Sequence, residues 1–132
     1  MKISRSVVYA LVATGYIAEN HEDGAILAAR IAKEYDISLK YLLKVLQQLV
    51  RAGILKSKRG PHGGFFLARR AEDITLLQIV EAVDGPLRGY LHLAELTNDA
   101  PFSVKMEAVC RKASDDVRAI YENSPLSNFI GT

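Results

Sequence analysis

Residues Lys56 to Arg69, KSKRGPHGGFFLAR, set Lys56, Lys58, Arg59 and His62 around Pro61 and the glycines 60, 63 and 64. Just upstream, Ser38 to Arg51 carries Lys40, Lys44, Gln47, Gln48 and Arg51 and no acidic residue. Cations without local carboxylates to pair with offer their charge to a polyanion, and amides and guanidiniums can add directional hydrogen bonds. This is the chemistry of binding. A Ser/His/Asp order, paired carboxylates in an apolar setting and a phosphate-binding loop are all missing, and RGPHGG lacks the strand-then-helix context such loops require. An enzyme is therefore the least supported class.

The charge balance points the same way. Residues 1 to 70 hold twelve Lys/Arg against five Asp/Glu, and residues 71 to 132 hold five against ten, so a net charge of +2 conceals a cationic first part and an acidic second one. A polyanion would bind the first. With 132 residues, 49% hydrophobic and 24% charged, the chain is long enough for one globular domain with a core and an appended element. The longest apolar candidate for a membrane span, Val7 to Ala18, is too short and carries Tyr9, Thr14 and Tyr16, and MKISRS lacks the apolar region of a secretory leader, so a cytoplasmic protein is expected. Cys110, the one cysteine, has no internal disulfide partner.

These cations need a scaffold. Ser4 reads as the N-cap of a first helix, stapled by Ile3 and Val8. Val8, Leu11, Val12, Gly15 and Ala18 make one apolar side and Ala10, Ala13 and Ile17 a second, so cover from two directions is expected. Leu27 to Tyr35 forms a short helix with Ala28, Ile31, Ala32 and Tyr35 on its packing face. Asp36 and Ile37 lead at once to Ser38, the N-cap of a third helix, with Ile37 placed to staple onto Leu42. Two short helices joined this closely read as a helix-turn-helix. On the third, Leu39, Leu42, Leu46, Leu49 and Val50 share the core side, Gly53 supplies the stop, and Lys40, Tyr41, Lys44, Gln47, Gln48 and Arg51 face outward.

Ile54 to Lys58 and Phe65 to Arg69 read as two strands around the turn RGPHGG, whose glycines permit positive φ and close approach to a partner. Behind a basic helix such a hairpin is a wing. Thr75 with Gln78 is a capping box opening a fourth helix, with Ile74 and Ile79 as staple; Leu76, Ile79, Val80 and Val83 are expected under the hairpin, and Asp84-Gly85-Pro86 ends the helix. Residues 86 to 101 form a connecting segment with the apolar Tyr90, Leu91, Leu93 and Leu96. A last helix is expected over Phe102 to Glu122, its stripe of Phe102, Met106, Val109, Ala113, Val117 and Ile120 running about 30 Å, more than a small domain covers. A second copy is the expected cover. The fold class is mainly α with a small β-hairpin: a winged helix-turn-helix over residues 1 to 85, the connecting segment, and a dimerisation helix with its tail over 102 to 132.

In this order the pieces resemble the IscR-like family of bacterial transcriptional regulators, also called the BadM or Rrf-two type. The match rests on Tyr9-Ala-Leu, Ile37-Ser-Leu-Lys-Tyr-Leu, Arg51-Ala-Gly-Ile-Leu-Lys-Ser, Arg59-Gly-Pro-His-Gly-Gly-Phe and Ile74-Thr-Leu-Leu-Gln-Ile-Val-Glu-Ala-Val, and covers residues 1 to about 85. The resemblance implies a homodimer that puts its third helix in the major groove of double-stranded DNA. Carried over by position, Ser38, Lys40, Tyr41 and Lys44 would meet phosphates and base edges, and Arg59 would enter the minor groove with Gly60, Pro61, His62 and Gly63 around it. Independently, a guanidinium at a hairpin suits the negative potential of a narrow minor groove, and Lys44 or Gln48 could read purine edges.

Many members of the family hold an iron-sulfur cluster through three cysteines in the segment before the long helix. Here Gly85 to Phe102 contains none, so no cofactor of that kind is expected, and Cys110 reads as a small buried thiol on the apolar stripe. A metal site would require His92, Glu95, Asp99 and His21 to gather, at spacings that match no ligand pattern. Two functions compete. One is a dimeric regulator, most simply a repressor occupying a palindromic operator. The other is a protein-interaction module, or partner-controlled regulator, in which DNA contact is secondary. The effector, a small molecule or a protein, and any redox role of Cys110 stay open.

Overall fold

The computed structural model describes residues 2 to 87 and 92 to 131. Their secondary structure is mainly helical: α1 (Arg5–Glu19), α2 (Ala28–Tyr35), α3 (Leu39–Arg51), a hairpin of β1 (Leu55–Lys58) and β2 (Gly64–Leu67), then α4 (Leu76–Asp84), the single turn α5 (Leu93–Leu96) and the long α6 (Pro101–Glu122). Tyr90 and Leu91 of the connecting segment lie outside the described residues.

Local capping sets the helix starts. The Ser4 and Ser38 hydroxyls accept the N–H groups of Val7 and Tyr41, each at 3.2 Å, satisfying donors that the first helical turn leaves open. Thr75 and Gln78 form a reciprocal capping box, with bonds of 3.2 and 3.0 Å. Thr75→Ala is expected to cost about 1 kcal/mol and to lower the melting temperature by roughly 4 °C in a thermal melt. Gly53, at φ 76°, takes the left-handed position after α3, and Asp36, at φ 50°, does so between α2 and α3.

The core gathers Ala10, Ala13 and Ile17 from α1, Ile31 from α2, Leu42, Val45, Leu46 and Leu49 from α3, Ile54 and Leu55 at the hairpin, and Ile74 and Ile79 around the start of α4. Several sequence expectations shift. Leu39 stays 41% exposed, while Val45, on the other flank of the stripe, is buried. Tyr35 is exposed, set edge-on to Tyr16 rather than packed in the core. Ile3 and Val8 both remain exposed, so that staple buries little. α4 packs mainly on α1, α3 and α6 instead of under the hairpin, which rests on α1 through β2 and on α3 through β1.

The two strands pair antiparallel, from Leu55↔Leu67 to Lys58↔Gly64. Ile26 adds a bridge on the other edge of β2 that local spacing does not reveal: its N–H and C=O exchange two 2.8 Å hydrogen bonds with Phe65. α6 is tied to α4 by Arg118 and Glu81 at 2.9 Å, and the same Glu81 oxygen accepts the Leu87 N–H at 2.8 Å. Beyond α6 the chain turns back. Thr75 pairs with Pro125, the Leu126 N–H reaches the Ile74 carbonyl at 2.7 Å, Leu126 is buried, and the Gly131 N–H meets a Glu19 carboxylate oxygen at 2.8 Å.

Candidate nucleic-acid interface

The inward stripe of α3 fixes what its other face presents. With Leu42, Val45, Leu46 and Leu49 buried, Lys40, Lys44, Gln47 and Arg51 are exposed and Gln48 is half-buried. Ser38, also exposed, is committed through its oxygen to the helix cap and keeps its O–H to donate. The hairpin extends this surface. Lys56, Lys58, Arg59, Gly60, Pro61 and His62 are all exposed, with Arg59 just past the last strand pair. Gly60 to Gly63 closes a turn through a 2.9 Å bond from the Gly63 N–H to the Gly60 carbonyl, with Pro61 at the position its fixed φ favours.

Two expected contact residues sit otherwise than the sequence suggested. Gly63 is buried, and its N–H is already used; a Cβ there would lie 2.4 Å from the Lys58 carbonyl oxygen, so its glycine serves the turn itself. Gly64 likewise approaches this chain's own Ile26 and not an outside partner. Tyr41 is half-buried instead of facing outward: its ring stands edge-on to Tyr9 at 5.1 Å, and its hydroxyl lies 2.7 Å from that of Ser6.

The cations of this face form an unbroken series without ion pairs, a condition that Lys2, Arg5, Lys33, Arg69 and Lys105 share elsewhere among the described residues. Among the described residues, Lys40, Lys44, Arg51, Lys56, Lys58 and Arg59 make no ion pair, whereas Arg30, Arg70, Arg111, Lys112 and Arg118 each hold a carboxylate within 4 Å. The Asp23 carboxylate, and next the Tyr16 hydroxyl, raise the pKa of Arg30; Asp116 raises that of Lys112. Six cations in sequence from Lys40 to Arg59 thus keep their charge uncompensated. An uncompensated cationic surface with exposed amides can hold a polyanion by counterion release and add directional contacts.

The other candidate residues do not converge on an ion. His92 and Glu95 meet at 3.5 Å and share with Asp99 a groove of about 810 Å³ between α5 and α6, while the His21 ring bonds the Ala18 carbonyl at the end of α1. No group of three or more His, Cys, Asp or Glu side chains among the described residues is arranged to hold a metal. Cys110 on α6 is half-buried, less enclosed than its place on the stripe suggested.

The whole arrangement has close relatives. Residues 3 to 126 match the profile of Rrf2, described as an iron-dependent transcriptional regulator. This chain belongs to the Rrf2 family. Rrf2 proteins are transcriptional regulators, not enzymes, and the fold here is their winged helix-turn-helix with a long C-terminal helix. The chain is 43% identical over 86 residues to the HTH-type transcriptional regulator IscR of Cereibacter sphaeroides, an overlap of 64% of this chain and 56% of that one. It spans about half the length of the curated relatives it matches. Among solved structures it is similar to CymR, the global cysteine regulator of B. subtilis, with a TM-score of 0.83 and 27% identity over 97% of this chain and 95% of that one. T. potens IscR gives a TM-score of 0.76 and 25% identity over 97% and 85%.

Within this Rrf2 fold, sequence reasoning missed Ser6 and Ile26. Both act across the chain, on Tyr41 and Phe65, and neither partner is visible in local spacing. Among the described residues no helix is long and apolar enough to cross a membrane.

Proposed function

We propose that this Rrf2 protein is a homodimeric, sequence-specific DNA-binding regulator that represses by occupying a palindromic operator. In this reading residues 1 to 85 bind DNA, 86 to 101 connect, and 102 to 132 carry the dimerisation helix and tail. α3 enters the major groove, where Ser38 and Lys40 meet phosphates and Lys44 and Gln48 meet base edges, and Arg59 enters the minor groove beside Gly60, Pro61 and His62. The observation that carries this is the unpaired series of cations from Lys40 to Arg59, set on one helix and the hairpin behind it. Half-sites should lie about 34 to 36 Å apart, or a multiple of that, since two copies must reach the same face of the duplex.

Iron chemistry fits these residues poorly. The family's usual cluster requires thiolates, and the chain's one cysteine lies within α6, while the segment before α6 offers imidazole and carboxylate instead. The reading is a regulator without that cluster, answering to a small-molecule or protein effector. Anaerobically purified protein is expected to show no visible charge-transfer band and no stoichiometric iron.

The test is a Lys44→Ala, Arg59→Ala double variant on the promoter region that the protein binds. Affinity should fall by roughly thirtyfold or more, and the dependence on salt should flatten, with the oligomeric state unchanged. Unchanged binding would move the DNA contact elsewhere and favour a protein-docking role for the winged domain. Equal binding of the unaltered protein to promoter and random DNA at physiological salt would remove the sequence-specific regulator altogether.

A further inference from the structure

Tyr41 is the third residue of α3, beside Lys40 and one helical turn from Lys44, and it is held at three points. Its N–H is capped by Ser38, its ring abuts Tyr9, and its hydroxyl pairs with Ser6. Ser6 and Tyr9 both belong to α1, whose first turn is itself fastened: the Ser4 hydroxyl donates to Asp84 at the end of α4, at 2.8 Å, while its oxygen caps Val7. A hydrogen-bonded path therefore runs from α4 through the start of α1 to the start of α3.

Resting on the DNA-reading function proposed above, we infer that Ser6 and Tyr9 are positioning residues: by clamping Tyr41 they set the rotation at which the recognition face of α3 meets DNA. The core beneath α3 consists of Leu42, Val45, Leu46 and Leu49. Apolar packing of this kind chooses which face of the helix turns inward, but being non-directional it resists small rotations about the helix axis only weakly. A 2.7 Å hydrogen bond at the tip of a long, rigid side chain supplies the missing direction. Phosphate contacts tolerate a small rotation, since a lysine ammonium on a flexible stem can follow an oxygen. Base-edge contacts do not, because they depend on angle as well as distance.

The clamp should therefore govern specificity more than affinity. The probes are a duplex selected from a random library by the unaltered protein and a scrambled duplex of the same composition, with melting curves recorded for each variant. Ser6→Ala and Tyr41→Phe are each expected to weaken binding to the selected duplex by roughly fivefold, the size of one net hydrogen bond. Binding to the scrambled duplex and the salt slope should stay within error, and the melting temperature should fall by no more than the few degrees that one net hydrogen bond carries. Because both changes remove the same bond, the double variant should match either single one. Ser6→Thr, which keeps the hydroxyl, should retain the parent's selectivity.

Variants that discriminate like the parent would overturn the inference. So would equal weakening on both duplexes, which would make the hydroxyl pair a direct phosphate contact, and so would additive effects in the double variant. If the unaltered protein enriches no sequence, the DNA-reading function itself falls and takes the clamp with it; if it does enrich one and the variants match it, only the clamp falls.

Discussion

Gly64→Ala is expected to lower the melting temperature by roughly 10 °C, corresponding to a loss of about 3 kcal/mol. Two separate costs meet at this residue. Its φ of 140° lies where L side chains are rarely found. A Cβ there would also stand 2.5 Å from both the carbonyl carbon and the oxygen of Ile26, and these are backbone atoms that cannot rotate aside as a side chain would. Moving them means opening the two 2.8 Å bonds between Ile26 and Phe65 that dock the hairpin on the body of the domain. Gly60 makes the comparison. It too has positive φ, at 100°, but a Cβ there meets nothing within 4 Å, so Gly60→Ala should carry only the backbone strain, about 1 kcal/mol. Thermal melts of the two variants check this; similar small shifts for both would mean that the Ile26 bridge yields easily.

On the proposed homodimer, Val109→Asp is expected to convert dimer to monomer at micromolar concentration and to weaken operator binding by roughly a hundredfold or more, since each copy would then bind one half-site alone. α6 runs for 22 residues, and Phe102, Met106, Val109 and Ile120 along it are 61, 55, 69 and 65% exposed. So much apolar surface on one helix face is unusual for a monomer. A carboxylate in the middle of that face costs the single chain little, because Val109 already meets solvent, but in a paired interface it would be desolvated without a partner. Sedimentation at several concentrations reads the outcome directly. A variant that stayed dimeric with an unchanged melting curve would place the interface on another face.

What the sequence made legible follows range of interaction. Ser4, Ser38 and the Thr75–Gln78 box act within three residues of themselves, so their roles could be read from spacing alone. The exposed cations of α3 and the hairpin were legible for a related reason: they are positions the apolar stripe leaves over. Tyr41 was misplaced because its ring and hydroxyl answer to Tyr9 and Ser6, more than thirty residues earlier. Leu39 and Val45 show the limit of periodicity, which identifies an apolar side without saying how far around the helix the cover extends. Of the wing glycines expected to permit positive φ, Gly60 and Gly64 adopt it and Gly63 does not, while the partner that Gly64 approaches is Ile26, and no spacing rule connects those two.

The path of the tail also constrains how the fold is reached. Leu126 fills a place beside Ile74, and Gly131 reaches Glu19, so residues at the far end of this sequence complete a core begun by the first helix. Contacts of such separation close large loops and come late, after local helices and the hairpin have formed. While the chain is being synthesised, α1 to α4 emerge well before Leu126 exists, and the apolar seat beside Ile74 stays open throughout that interval. A nascent chain halted after α4 would carry α3 and the hairpin on a core still open beside Ile74.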